Sequence, residues 1–157
     1  MPKKAKDIMT SPVVTVNQNS TVYEAIELIS KCSFSGLLVT DSEGILVGIL
    51  SEADILKYSQ KDSVVPLVSL SGWISPHTEI NDIAAVRKGA DLLKSTPVNK
   101  VMTKKIISVD KNSSVHDVAK IMNKKDINRL PVVNEEGIVE GIITRSDMVR
   151  AMATGLQ

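Results

Sequence analysis

This chain of 157 residues lacks the groups on which several protein classes depend. It has one cysteine, Cys32, so no internal disulfide can form, and a zinc site would need soft ligands that are missing. The two histidines, His77 and His116, are not joined by Cys or acidic residues at metal-ligand spacing, and no metal is expected. Cys32 has no evident general-base partner either. Aromatic residues make up 3%, which leaves little to stack on single-stranded bases. Nineteen basic against eighteen acidic residues leave a net charge of +1, with no field to attract nucleic acid. The apolar run Ile45–Leu50 is broken by Gly48 and falls far short of the roughly 20 residues a membrane span requires. Asp7, Thr10, Ser11 and Pro12 interrupt the start before a secretory signal could form. Walker, Rossmann and Gly-x-Ser-x-Gly patterns are missing as well. The expectation is a cytoplasmic protein with no membrane or nucleic-acid partner, no catalytic residues and no catalytic cofactor.

What the chain does have is a repeat. Residues 6–57 align without a gap on residues 99–150 at a constant offset of 93, and fifteen of the 52 positions are identical. Met9/Met102, Thr10/Thr103, Gly48/Gly141 and Asp54/Asp147 are among them, and most other apolar positions exchange one aliphatic residue for another. A match of that length marks a tandem duplication. Residues 1–57 form the first repeat with its leading segment, 58–98 an insertion without a repeat partner, and 99–157 the second repeat.

Each repeat reads strand, helix, strand, strand, helix. An extended piece (Val13 to Val16; Ile106 to Val109) precedes Ser20 or Ser113, placed to cap a helix. Apolar residues then recur at helical spacing: Val22, Ala25, Ile26 and Ile29, or Val115, Val118, Ala119 and Met122. A strand (Leu37 to Thr40; Leu130 to Val133), a turn ending in Gly44 or Gly137 and a strand ending near Leu50 or Ile143 follow. The closing helix begins at Glu52 or Arg145. One such unit is too small to bury a convincing core alone, so the fold class is α+β, with the two sheets packed about a pseudo-twofold axis. In the insertion, Ile83, Val86, Ala90 and Leu93 predict a helix from about Asn81 to Lys94, ended by Thr96-Pro97. No structure is assigned to 61–79. Leu70, Trp73 and Ile74 add apolar surface there that favours a homodimer.

The same pattern closes both repeats: Gly48-Ile-Leu-Ser51-Glu-Ala-Asp54 and Gly141-Ile-Ile-Thr144-Arg-Ser-Asp147. A hydroxyl three residues ahead of a carboxylate is a capping box, which satisfies free N–H groups at a helix start. The same geometry also suits a nucleoside phosphate. The helix N-terminus and hydroxyl attract the phosphate, the carboxylate accepts from the two ribose hydroxyls, and the glycine lets a ligand approach the strand. Both readings stand on the residues alone.

The repeat resembles the cystathionine-β-synthase (CBS) domain, and the whole chain resembles a tandem pair, or Bateman module. Asp7-Ile-Met-Thr10, Lys100-Val-Met-Thr103, Leu130-Pro-Val-Val133 and the two Gly-to-Asp endings carry the likeness. The resemblance implies a regulatory module that binds AMP, ADP, ATP, S-adenosylmethionine or a dinucleotide and signals occupancy to an unidentified partner protein. A nucleotide-independent interaction module and an S-adenosylmethionine-type sensor are the alternatives. It implies that Asp54 and Asp147 hold ribose and that Ser51 and Thr144 sit near phosphate. It also implies that Val14, Thr15, Ile107 and Ser108 border the base, as do Phe34, Ser35 and Gly36 in one repeat and Ile127, Asn128 and Arg129 in the other.

The two sites are not equal. Arg129, which is either a phosphate ligand or a solvated surface arginine, aligns with Gly36, and Ser146 aligns with Ala53. Leu38 stands where Pro131 keeps the commoner pattern. The residues around Asp147 therefore suit a phosphate better, while the Asp54 site is expected to be empty or to take a less charged ligand.

Overall fold

The computed structural model describes residues 3–32, 34, 36–61 and 80–155, with no side-chain account for 60–61 or 80–86. Ser35, Leu70, Trp73 and Ile74 lie outside the described residues. The elements are α1 (Ala5–Ile8), β1 (Thr15–Asn17), α2 (Val22–Cys32), β2 (Gly36–Thr40), β3 (Leu46–Ser51), α3 (Glu52–Lys61) and α4 (Ile80–Ser95). A 3-10 turn (Val98–Lys100) leads to β4 (Val109–Asp110), α5 (Val115–Lys125), β5 (Arg129–Val133), β6 (Val139–Thr144) and α6 (Arg145–Gly155). Two three-stranded sheets run β1-β2-β3 and β4-β5-β6; the first pair of each is parallel, and β5 and β6 are antiparallel. Two similar β-α-β-β-α repeats thus form a mixed α/β chain, and the insertion carries the helix that its apolar spacing predicts.

Two local assignments need correction. The opening strands are shorter and begin later, at Thr15 and Val109, because the residues before them pair with no strand in their own sheet. The helix caps are Thr21 and Ser114, not Ser20 and Ser113. Thr21 Oγ1 accepts from Glu24 N at 3.2 Å while Glu24 Oε2 accepts from Thr21 N at 2.8 Å, and Ser114 Oγ accepts from Asp117 N at 3.0 Å. The acid three residues on selects the cap. Ser20 and Ser113 sit in the preceding turns, ordered by Asx contacts from Asn17 Oδ1 and Asp110 Oδ1 to the N–H groups of Asn19 and Asn112.

The compact units cut across the repeats. One, the Asp147 unit, comprises Met1–Val14, Ser42–Leu46 and Lys105–Gln157; the other, the Asp54 unit, comprises Thr15–Asp41 and Val47–Lys104. Each repeat's leading segment is bonded into the unit that holds the other repeat's sheet. In the Asp147 unit, Ala5 N donates to Ser113 O at 2.8 Å, and Thr10 exchanges backbone bonds with Ile142 at 2.9 and 3.1 Å. In the Asp54 unit, the equivalent residues repeat the arrangement. Val98 N donates to Ser20 O at 2.8 Å, and Thr103 exchanges bonds with Ile49 at 2.8 and 3.0 Å. Open strand edges expose unpaired backbone groups, and these bridges cover part of the free edges of β6 and β3.

The cores repeat the exchange. Val16, Ala25, Ile29, Leu37, Val39, Leu50 and Ile55 form one, joined by Val98. Their equivalents Val109, Val118, Met122, Leu130, Val132, Ile143 and Met148 form the other, joined by Ala5. Leu93 of α4 is fully buried in the Asp54 unit. Gly48 and Gly141 make room for the exchanged segments: a Cβ on Gly48 would overlap Met102, and one on Gly141 would overlap Met9. The room expected for a ligand beside Gly48 and Gly141 holds Met102 and Met9 instead. Leu38 and Pro131 are both fully buried, so their difference is one of core packing.

Candidate functional site

Both closing motifs fold as complete capping boxes. Asp54 Oδ2 accepts from Ser51 N at 2.9 Å and from Ser51 Oγ at 2.9 Å, and Asp54 N donates to Ser51 Oγ at 3.1 Å. Asp147 Oδ2 accepts from Thr144 N and Thr144 Oγ1, each at 2.8 Å, and Asp147 N donates to Thr144 Oγ1 at 3.3 Å. These bonds satisfy free donors at the starts of α3 and α6. Capping does not exhaust the carboxylates, because each has about four lone-pair sites and only one oxygen is committed to the cap.

The other oxygen is where the sites diverge. Asp54 Oδ1 accepts from Thr103 Oγ1 at 3.0 Å, a hydroxyl on the exchanged segment. Asp147 Oδ1 faces Arg150 Nη2 at 3.2 Å, one turn along the same helix. Asp147 is 4% exposed, whereas Asp54 is half-buried. Neither Thr103 nor Arg150 was among the predicted site residues. Arg150 had a signal, an acid and a base at i and i+3 on one helix; Thr103, 49 positions from Asp54, had only its place in the repeat.

Around Asp147 the strands bring other predicted residues together. Arg129 opens β5 directly opposite Thr144 on β6. The carbonyl of Asn128 accepts from Arg145 N at 3.1 Å, fixing the strand entry to the helix start. Ser146 is exposed; Ile127 and Ile107 are half-buried against the core, and Ser108 is exposed just before β4. In the Asp54 unit, Gly36 opens β2 and Thr15 lies opposite Leu38. Phe34 is exposed at 42%. Val14, 41% exposed, falls within the Asp147 unit. Thr15 lines an open depression of about 350 Å³ with Val16, Asn17, Glu24, Glu27 and Lys31, and neither Ser51 nor Asp54 borders it. That depression is therefore separate from the Ser51–Asp54 pair. Among the described residues there is no group of three or more His, Cys, Asp or Glu placed to hold a metal, and no helix long and apolar enough to cross a membrane.

The CBS-domain family model matches the chain twice, over residues 5–61 and 98–154. The chain belongs to the CBS-domain family. A protein of Methanocaldococcus jannaschii is 36% identical over 154 residues, covering 94% of this chain and 89% of that protein. The structure of CBSX2 of Arabidopsis thaliana in complex with AMP matches with a TM-score of 0.71 at 25% identity, covering 98% of each chain. The CBS domain pair of protein MJ0100, solved with 5′-methylthioadenosine and S-adenosyl-L-methionine, has the same fold, with a TM-score of 0.71 at 24% identity and 99% of each chain covered.

Proposed function

We propose that this CBS pair is a non-enzymatic sensor that binds an adenine nucleotide and passes its occupancy to a partner protein as a conformational signal. The observation that carries the reading is the buried Asp147 carboxylate, held at the start of α6 by Thr144, with Arg129 opposite that threonine across the strand pair. The carboxylate suits a ribose diol, and the helix start with its arginine suits a phosphate. The AMP complex of the CBSX2 relative supports the same ligand class. Asp54 and Ser51 form the second, less cationic site, with Gly36 where Arg129 would stand.

Ligand at about 100 times its dissociation constant stabilises a fold by about 2.7 kcal/mol. For a chain of this length, that raises the thermal midpoint by roughly 5–10 °C. A thermal-shift series with AMP, ADP, ATP and S-adenosylmethionine on nucleotide-stripped protein tests the proposal. An unchanged midpoint with all four at millimolar concentration would overturn it. That result would favour the second reading, an interaction module that needs no nucleotide, which the completed capping boxes support.

The working form is a cytoplasmic homodimer. Leu56, Val149 and Met152 are 50%, 66% and 64% exposed, and Leu56 and Val149 are equivalent positions of the repeat. Apolar side chains on the same helix in both copies favour a closed twofold assembly. Light scattering at tens of micromolar should give twice the chain mass; a monomer would refute the dimer and leave the ligand question untouched.

A further inference from the structure

We propose that Arg150 is a displaceable guard on Asp147, and that it makes this site prefer phosphorylated over unphosphorylated adenosine ligands. The inference rests on the reading that Asp147 receives the ribose. Asp147 is 4% exposed and anchored by two bonds from Thr144, so the carboxylate stays where it is. The Arg150 side chain is 70% exposed and meets Asp147 Oδ1 through one nitrogen at 3.2 Å. Helical side chains lean toward the N-terminus, which carries this guanidinium back over Asp147 and toward the start of α6.

A ribose diol that sets both hydroxyls on Oδ1 fills both of its lone-pair sites and so displaces the guanidinium. An unphosphorylated nucleoside replaces an ion pair with bonds from neutral donors and gives the released arginine no anion. A nucleoside phosphate does supply one. A single 5′ carbon separates its ribose ring from the phosphate, so diol and phosphate fall within the sweep of one arginine, and the guanidinium exchanges a carboxylate for a phosphate. Arg150 therefore disfavours adenosine and favours AMP at the same site. The Asp54 site is guarded differently, by the neutral Thr103 hydroxyl, and has Lys57 at the position of Arg150. A neutral guard is displaced equally by both ligands.

Calorimetry with AMP and adenosine on Arg150→Met, Arg150→Lys and Asp147→Asn tests this. Arg150→Met keeps an apolar stem on an exposed position, so the fold is retained and a thermal midpoint verifies it. The expected result is tighter adenosine binding and weaker AMP binding, so that the ratio of their affinities falls by about tenfold, the scale of one charge-assisted bond. Arg150→Lys should recover part of the ratio. Equal changes in both affinities in Arg150→Met would overturn the guard while leaving the Asp147 site standing. Unchanged binding of both ligands in Asp147→Asn would overturn the site itself, and the guard with it.

Discussion

The Asp54 and Asp147 units have the same sheet order, equivalent core residues and the same capping box, yet they close the second carboxylate oxygen differently. In one the closing group is a neutral hydroxyl from a segment 49 positions away in sequence; in the other it is a cation from the next turn of the same helix. The first ties Asp54 to the segment that opens the second repeat. The second closes Asp147 from within its own helix, while Thr10, the equivalent of Thr103, pairs its backbone with Ile142. Duplication preserved the frame while the polar contacts around each carboxylate diverged.

The comparison is tested most severely at the glycines that accept the exchanged methionines. Gly141→Ala would press its Cβ on Met9 and come within 3.1 Å of the carbonyl of Thr10. For Gly48→Ala the three nearest atoms all belong to the Met102 side chain, with Cγ at 2.9 Å. Overpacking of this kind costs about 1–3 kcal/mol. The larger loss is expected at Gly141, because a backbone atom yields less readily than a thioether. Adding Met102→Ala should recover part of the Gly48→Ala loss, whereas Met9→Ala should do less for Gly141→Ala. Urea unfolding of the four variants checks this, and equal losses with equal rescue would mean that the two exchanges are packed alike.

Much of this frame was legible because duplication prints a pattern twice. The offset of 93, the helical spacing of Val118 and Met122 and the turn glycines are local signals, and the elements follow them. Gly44 and Gly137 have φ of +82° and +84°, the left-handed region that only glycine enters freely. The exchange of leading segments was not legible, because Ala5 and Val98 read equally well as the start of their own repeat. Backbone bonding to Ser113 and Ser20, with burial in the cores there, assigns them. The same limit applied to the sites: Ser51-x-x-Asp54 is local and was readable, whereas Thr103 on Asp54 is a tertiary contact. The role assigned to Gly48 and Gly141 followed from the right property, room beside the strand, but sequence did not name the occupant.

The next contrast is electrostatic and concerns Arg129 against Gly36. Arg129→Ala should weaken AMP by about tenfold or more, the scale of a charge-assisted bond of about 1.5–3 kcal/mol. Adenosine affinity should fall far less, because only AMP has a phosphate to lose. That pattern differs from Arg150→Met, in which adenosine binds more tightly. Gly36→Arg, at the strand position that lacks the cation, should raise AMP affinity at the Asp54 site if the asymmetry arises from this charge. Titrations of each variant with both ligands decide it: equal loss of AMP and adenosine in Arg129→Ala would mean that the arginine does not face phosphate.

The smallest effect concerns an ion pair of the Asp147 unit. Lys111 Nζ bonds Glu140 Oε1 at 3.0 Å, where the first repeat has Gln18 and Val47. The hydrogen bond that the lysine donates to Glu140, and then the negative charge of Glu140, raise the lysine above its usual 10.5. A base raised on folding contributes stability that is fully present below the unfolded pKa and is lost as pH rises through the folded one. Wild type should therefore be slightly more stable than Lys111→Gln from neutral pH up to about 10.5, the ordinary lysine value. The difference should then shrink at higher pH as the lysine loses its proton. Exposed pairs are also screened by salt, so the difference should be smaller in 1 M salt than in dilute buffer. Denaturant midpoints of the two proteins at pH 8 and pH 11.5 measure it. A difference that is the same at both pH values would mean that the lysine acts through its hydrocarbon stem and not through its charge, and this ion pair would no longer distinguish the two units.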